Sequence, residues 1–230
     1  MAPRRVDPAA PAARAPVHLT KAELARQHIR GLILTGEVRA GERLTSREVC
    51  EALGMSETPV REALRSLSAE GWLDMHPHLG VVVAGADPNN LAELYLIGGM
   101  LGALAIELGA AAFDAAHLDR LDRILDQSEQ ATAAGDTRAY GQLNRKFHAT
   151  LCDTPHSVWT RKVLTGLIDK TEAATQGFGP VPDRLAASLA EHRAIVAALR
   201  QGDFAKAGAL VRAHETRAGE AMLAAMRRGQ

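Results

Sequence analysis

Residues 54–80 read GMSETPVREALRSLSAEGWLDMHPHLG, a short amphipathic helix entered through Ser56 and followed by a tight hairpin. Val60, Ala63, Leu64 and Leu67 recur at i, i+3, i+4 and i+7, so one stripe faces a core. Thr58, Arg61, Glu62 and Arg65 fall towards the other face. A helix whose first turns present Ser, Thr and Arg is suited to phosphates and base edges. The same face read blandly is a solvated one, the usual fate of exposed arginines.

The segment before it narrows the choice. Thr45-Ser46-Arg47-Glu48 fits a capping box, and the helix it opens carries Val49, Ala52 and Leu53 on one side and stops at Gly54. A short helix, a turn at Gly54-Met55 and a second helix from Ser56 make the helix-turn-helix layout. Upstream, Thr20-Lys21-Ala22-Glu23 is a further capping box ahead of an apolar stripe of Leu24, Ala25, Ile29, Leu32 and Ile33. Downstream, Trp72–Met75 and Val81–Val83 read as two strands around His76-Pro77-His78-Leu79-Gly80. Three helices with a two-stranded wing form a winged helix.

Residues 20–83 resemble the DNA-binding domain of the GntR superfamily of bacterial transcription regulators. The resemblance rests on Ile29, Ile33, Gly36, Gly41-Glu42-Arg43-Leu44, Ser56–Leu64 and Glu70-Gly71-Trp72-Leu73. It implies DNA contacts from Arg47, Ser56, Thr58 and Arg61, with Arg65 adding to the basic patch and the wing tip at His76 and His78 approaching the minor groove. Most relatives carry arginine where this chain has Glu57, so one expected phosphate or base contact at that position is missing or replaced.

Charge adds little to this. The chain has 27 basic and 27 acidic side chains, and residues 1–85 carry 11 Lys/Arg against 10 Asp/Glu. Strong non-specific attraction to a polyanion is not expected, and binding should lean on the local Arg47/Arg61/Arg65 patch.

At 230 residues there is room for two modest domains, and 47% hydrophobic content with 3% aromatic favours helices. Cys50 and Cys152 lack metal-ligand spacing and read as small buried hydrophobes in a reducing cytoplasm. No apolar run is expected to reach the roughly 20 residues of a membrane span, so no membrane partner is expected. Residues 1–17 have no apolar signal-peptide core and read as a disordered tail. The winged helix is assigned to 18–83, a linker to 84–88, and an all-α antiparallel bundle of about six helices to 89–228. Asp87-Pro88 opens that bundle; its helices are expected at about 88–111, 115–134, 137–152, 156–175, 183–201 and 203–227. Gly135-Asp136 and Gly202-Asp203 mark sharp reversals, and Gly177 to Pro182 is the one Gly/Pro loop.

The bundle places histidines on core-facing stripes. Asn144 and His148 stand at i and i+4, His192 lies between Leu189 and Ile195, and His214 lies between Leu210 and Ala218. These are either separate core histidines or a convergent divalent-metal site of the kind helical bundles build. His117 and His156, near helix ends, are expected at the surface. The second half resembles the FadR-type effector domain, called FCD, through Asn144-x-x-Phe147-His148, Glu191-His192, Gly202-Asp203 and Ala213-His214-Glu215. That resemblance implies a divalent transition metal (zinc, nickel or manganese) on Asn144, His148, His192 and His214. Asn144 stands where relatives usually have Asp, keeping an oxygen ligand without its charge. It also implies a small-molecule effector, an organic acid in relatives, yet the usual inner arginine and glutamate of the first helix are here Gly98 and Gly102. Three helical glycines, Gly98, Gly99 and Gly102, either permit close approach at a dimer interface or make room for a bulkier ligand.

The functional expectation is therefore a transcription regulator, a repressor first, bound as a homodimer to an inverted-repeat DNA operator. The alternative is a helical-bundle metalloenzyme with a winged-helix appendage. It would need a general base near the metal. Glu191 and Glu215 adjoin ligand histidines in sequence, which turns them roughly 100° away on a helix. They suit surface positions or outer partners of the histidines better than a catalytic base.

Overall fold

The computed structural model describes residues 19–76, 80–85, 87–175 and 182–229. The tail expected at 1–17, His78 of the wing tip and residues 177–181 of the Gly/Pro loop lie outside the described residues. The chain runs α1 (Lys21–Leu34), β1 (Arg43–Leu44), α2 (Ser46–Leu53), α3 (Glu57–Ala69), β2 (Leu73–His76) and β3 (Gly80–Val83). It continues through α4 (Pro88–Gly109), α5 (Ala115–Ala133), α6 (Thr137–Leu151), α7 (Val158–Thr175), α8 (Pro182–Arg200) and α9 (Phe204–Gly229).

Capping explains the first boundaries. Thr20 and Glu23 close a reciprocal box on α1, as do Thr45 and Glu48 on α2. Gly54 ends α2 at φ 62°, ψ 34°, a left-handed position that a side chain would strain. Ser56 is the N-cap of α3, yet its side chain makes no capping bond. The expected two-stranded wing gains a third strand: β1 pairs antiparallel with β3, giving the order β1-β3-β2. Arg43 faces Val82 and Leu44 faces Val81, while Met75 also faces Val81 from the other side. Two residues are too few for an alternating pattern, so only the pairing reveals β1. Ala25, Ile29, Ile33, Val49, Val60, Leu64, Leu67, Trp72 and Leu73 form one core.

The bundle has its own core, built from Ile106, Leu121, Leu125, Phe147, Leu151, Ile195, Leu199 and Val211 among others. Asp114, Asp136 and Asp203 accept backbone N–H bonds that start α5, α6 and α9. The helix α4 lies along α9. This accounts for its glycines within one chain: a Cβ on Gly99 would stand 3.2 Å from the Arg212 Cα, and one on Gly102 2.8 Å from Val211 Cγ1. For Gly99 and Gly102 the two expectations therefore give way to a third, close packing of α4 on α9. Only Gly98 also faces a cavity. Gly102→Val should cost about 1–3 kcal/mol in urea unfolding, because Val211 is fully buried and too short to swing aside. Wild-type stability would refute the close contact.

One sequence expectation is corrected here. Asn90–Ala112 is 23 residues with mean hydropathy 1.7, long and apolar enough to span a membrane. Its apolarity has two outlets in the fold. Leu91, Ala103, Ala105 and Ile106 are buried, and Leu96, Met100, Leu104 and Leu108 form an exposed stripe on another face.

Candidate DNA-reading face and metal centre

On the winged helix, Ser56, Glu57, Thr58, Arg61 and Arg65 are all exposed along the outer side of α3, and Arg47 and His76 are exposed beside it. Two of the arginines have carboxylate partners. Arg61 is held by Glu57 at 2.9 Å, one turn back, and Arg47 by Glu51 at 2.8 Å. Glu57 thus occupies its neighbour rather than leaving a gap. Arg43, Arg61 and Arg65 line a groove of about 250 Å³ between α3 and the wing, floored by Leu64, Met75 and Val81. Arg43 was read only as part of a motif; its pairing with Val82 sets it on the wing's edge, where no sequence pattern assigned it a task.

In the bundle, His148 from α6, His192 from α8 and His214 from α9 are each less than 7% exposed. One ligand nitrogen from each lies within 4.8 Å of the others. His192 Nε2 and His214 Nε2 are 3.2 Å apart. Two nitrogens bound tetrahedrally to one zinc at 2.0–2.1 Å would stand about 3.3 Å apart. Phe147 stacks on His192 with ring centroids 4.1 Å apart, fixing that ring's plane.

The outer partners have the chemistry of a metal-ligand shell. His214 Nδ1 lies 2.7 Å from Glu191 Oε2, so it donates its proton there and leaves the Nε2 lone pair facing His192. Glu191 is in turn held by Arg184 at 2.7 Å and Arg217 at 2.6 Å. Glu215 stands 3.5 Å from His148 Nδ1. Neither glutamate is a surface residue; both flank the histidines. The helix turn that separates Glu215 from His214 aims it at His148 on α6 instead. Asn144 lines the same cavity one turn before His148.

Burial sets the charge states. It pushes the His148 imidazole down to about 3, with His214 and Arg184 adding repulsion. Burial likewise lowers His192 and His214, the latter against the pull of Glu191. Burial raises the Glu215 carboxyl to about 7. For Glu191 burial acts upward too, but hydrogen bonds from His214, Arg184 and Arg217 outweigh it and hold it well below the carboxylate range. Three imidazoles held neutral by burial, with one ring nitrogen of each drawn together, fit a divalent transition metal better than calcium or magnesium. A cavity of about 260 Å³ opens over the cluster, with Tyr140, Arg145, Leu164, Arg184 and Glu215 in its wall.

The two histidines expected at the surface divide. His156 is exposed as expected. His117 is not: it is 3% exposed, bonded through Nε2 to the Thr150 carbonyl at 2.9 Å and edge-on to Phe113. Asp114 caps α5 so that its first turn packs inward against α6, which proximity to a helix end does not reveal.

Comparison with known proteins agrees with both halves. Residues 21–83 match the family of bacterial regulatory proteins called gntR, and residues 93–217 match the FCD domain. The HTH-type transcriptional regulator YdhC of Bacillus subtilis is 30% identical over 143 residues, 61% of this chain and 63% of its own length. The chain thus spans under two thirds of YdhC. A protein of Paenarthrobacter nicotinovorans, described as a probable D-xylose utilization operon transcriptional repressor, is 27% identical over 185 residues, 80% of each chain. A solved GntR structure from Rhodococcus sp. RHA1 shares the fold with TM-score 0.77 at 22% identity, covering 90% of this chain and 99% of that one. Family and relatives alike are transcription regulators, which lends the metalloenzyme alternative no support. With a winged helix carrying the gntR motif and a helical domain of the FCD type in one chain, the protein belongs to the GntR family of DNA-binding transcriptional regulators.

Proposed function

We propose that this regulator is a repressor that binds an inverted-repeat operator as a homodimer and answers to a small organic-acid effector. In this reading 18–83 bind DNA, 89–228 bind the effector, and the intervening 84–88 join them. The observation that carries it is the histidine cluster at the base of the cavity, with Glu191 bonded to the outer side of His214 and Glu215 beside His148. Asn144, His148, His192 and His214 would hold zinc, nickel or manganese. Four protein donors leave an octahedral ion two positions for effector oxygens, which is the chemistry the metal would supply. Tyr140, Arg145 and Arg184 would orient the rest of the ligand from the wall. The protein is read as cytoplasmic, with no membrane partner.

Dimerisation is supported by the exposed stripe of α4, Leu96, Met100, Leu104 and Leu108, together with Val158, Trp159 and Val163 of α7. A second copy of the chain would cover this face, and two winged helices would then read matching half-sites. The repressor sense follows the Paenarthrobacter relative.

The experiment is selection of an operator from random duplexes, with light scattering of the complex. A dimer on an inverted repeat is expected; a monomer on a single half-site would contradict the proposal. On that operator, Arg61→Ala should weaken binding by about 1–3 kcal/mol if the guanidinium reads a guanine. If it touches only phosphate, every sequence weakens alike and the salt slope falls by about one. No change in either would remove α3 from the groove. Glu57→Arg should raise non-specific affinity, since it frees Arg61 and adds a cation.

A further inference from the structure

The helix α7 is a shared wall. Ile168, Thr171, Glu172 and Thr175 line the bundle cavity, while Lys170, Ala173 and Ala174 border the junction with Trp72 and Val83 of the winged helix. Between the two faces sits Asp169, 1% exposed. Its Oδ2 pairs with Arg30 of α1 and its Oδ1 with Arg145 of α6. Arg30 lies over the Trp72 ring, 4.8 Å from the centroid, at the root of the wing. Arg145 follows Asn144 directly, lines the cavity and also reaches Glu172 at 3.3 Å.

We propose that Asp169 is the positioning residue that joins cavity to winged helix, by holding the cavity arginine Arg145 and the winged-helix arginine Arg30 on one buried carboxylate. The proposal rests on the regulator reading above and supplies its internal connection. A buried carboxylate is stable only while its charge is compensated. Taking Arg145 away leaves Oδ1 without its cation, so the carboxyl turns or takes up a proton, and its hold on Arg30 changes with it. Burial raises the Asp169 carboxyl, and the two arginines act against that rise. An anionic ligand in the cavity offers Arg145 a competing carboxylate and acts on the same pair. A neutral or cationic ligand does not.

Trp72 and Trp159 are the two tryptophans, so Trp159→Phe leaves Trp72 as a single reporter at the junction. In that background Arg145→Gln is expected to raise acrylamide quenching of Trp72 at least twofold, although Arg145 belongs to the bundle. Arg30→Gln and Asp169→Asn should do the same, and the Arg30→Gln/Arg145→Gln double variant should exceed neither single one. Arg200→Gln, which breaks a bundle ion pair to Asp119 and Asp122, should change nothing. On the selected operator, Arg145→Gln and Asp169→Asn should shift affinity by the same factor, at least fivefold, with zinc uptake by Asp169→Asn unchanged. Quenching unaltered by Arg145→Gln, or additive effects of Arg30→Gln and Arg145→Gln, would overturn the link. If Asp169→Asn does not fold, the partly exposed Arg145 and Arg30 carry the test alone. Failure of the wild type to select any DNA would sink the regulator reading, while the Trp72 measurement would still decide the connection.

Discussion

His192→Ala should abolish uptake of zinc, nickel and manganese while leaving the winged helix intact. His192 is 2% exposed, and its Nε2 is 3.2 Å from that of His214, at the centre of the donor set. Loss of an outer partner alone typically weakens a metal site by about 10–100-fold, and loss of a direct ligand exceeds that. Glu191→Gln provides the graded companion. It keeps the shape but weakens the hydrogen bond that fixes His214, so affinity should fall about 10–100-fold without vanishing. Metal content after dialysis against each ion, and competition with a chelator, measure both. Stoichiometric metal at wild-type affinity in His192→Ala would reduce the cluster to three packed core histidines. Metal lost with an unchanged effector response would make the ion structural and move the ligand elsewhere.

The metal-free protein should lose stability steeply on mild acidification. An imidazole kept neutral in the fold but free to protonate when unfolded binds fewer protons folded than unfolded below about pH 6.5. Each such group therefore costs up to about 1.4 kcal/mol per pH unit as pH falls. For His148 the loss begins at 6.5 and continues to about 3. His192, His214 and His117 are lowered too and act in the same sense. Glu215 opposes them: raised to about 7, it stays protonated in the fold while the unfolded carboxyl ionises, so it lowers stability as pH rises from 4.5 to 7. Imidazoles outnumber it, so between pH 6.5 and 5 the net effect should be a loss of stability as pH falls. Bound metal should add to the acid sensitivity, because its ligands must stay unprotonated. Urea unfolding of chelator-treated protein at pH 7, 6 and 5 reads this directly. His148→Gln should flatten the slope by about one proton; an unchanged slope would mean that His148 is already charged in the fold.

The helical framework could be read from the chain because its signals are local. Capping boxes at Thr20 and Thr45, the glycine stop at Gly54 and the Asp caps at 136 and 203 each act within four residues of themselves. The expected bundle helices accordingly lie within about two residues of those found, for example 137–152 against Thr137–Leu151. The inward placement of His148, His192 and His214 was legible for the same reason, as a property of one helix face. What pairs with what was not. β1 exists only through β3, Glu215 meets His148 across 67 positions, and Arg30 meets Asp169 across 139. His117 misled because a position near a helix end says nothing about which neighbour covers it. Gly99 and Gly102 of α4 misled because their partner is another helix of the same chain, distant in sequence.

Glu57 and Glu51 have a consequence at the scale of the chromosome. Each stands one helical turn from an arginine of the proposed DNA-reading face and pairs with it. A phosphate at Arg61 or Arg47 must compete with a neighbouring carboxylate, and indiscriminate DNA offers little beyond phosphate. A genome is a vast excess of wrong addresses, and a reader with unengaged cations spends most of its time adhering to them. This chain, neutral overall, should leave such addresses quickly and search by repeated encounters through solution rather than by long slides. Few copies are then sequestered, and a small pool should suffice to keep an operator occupied.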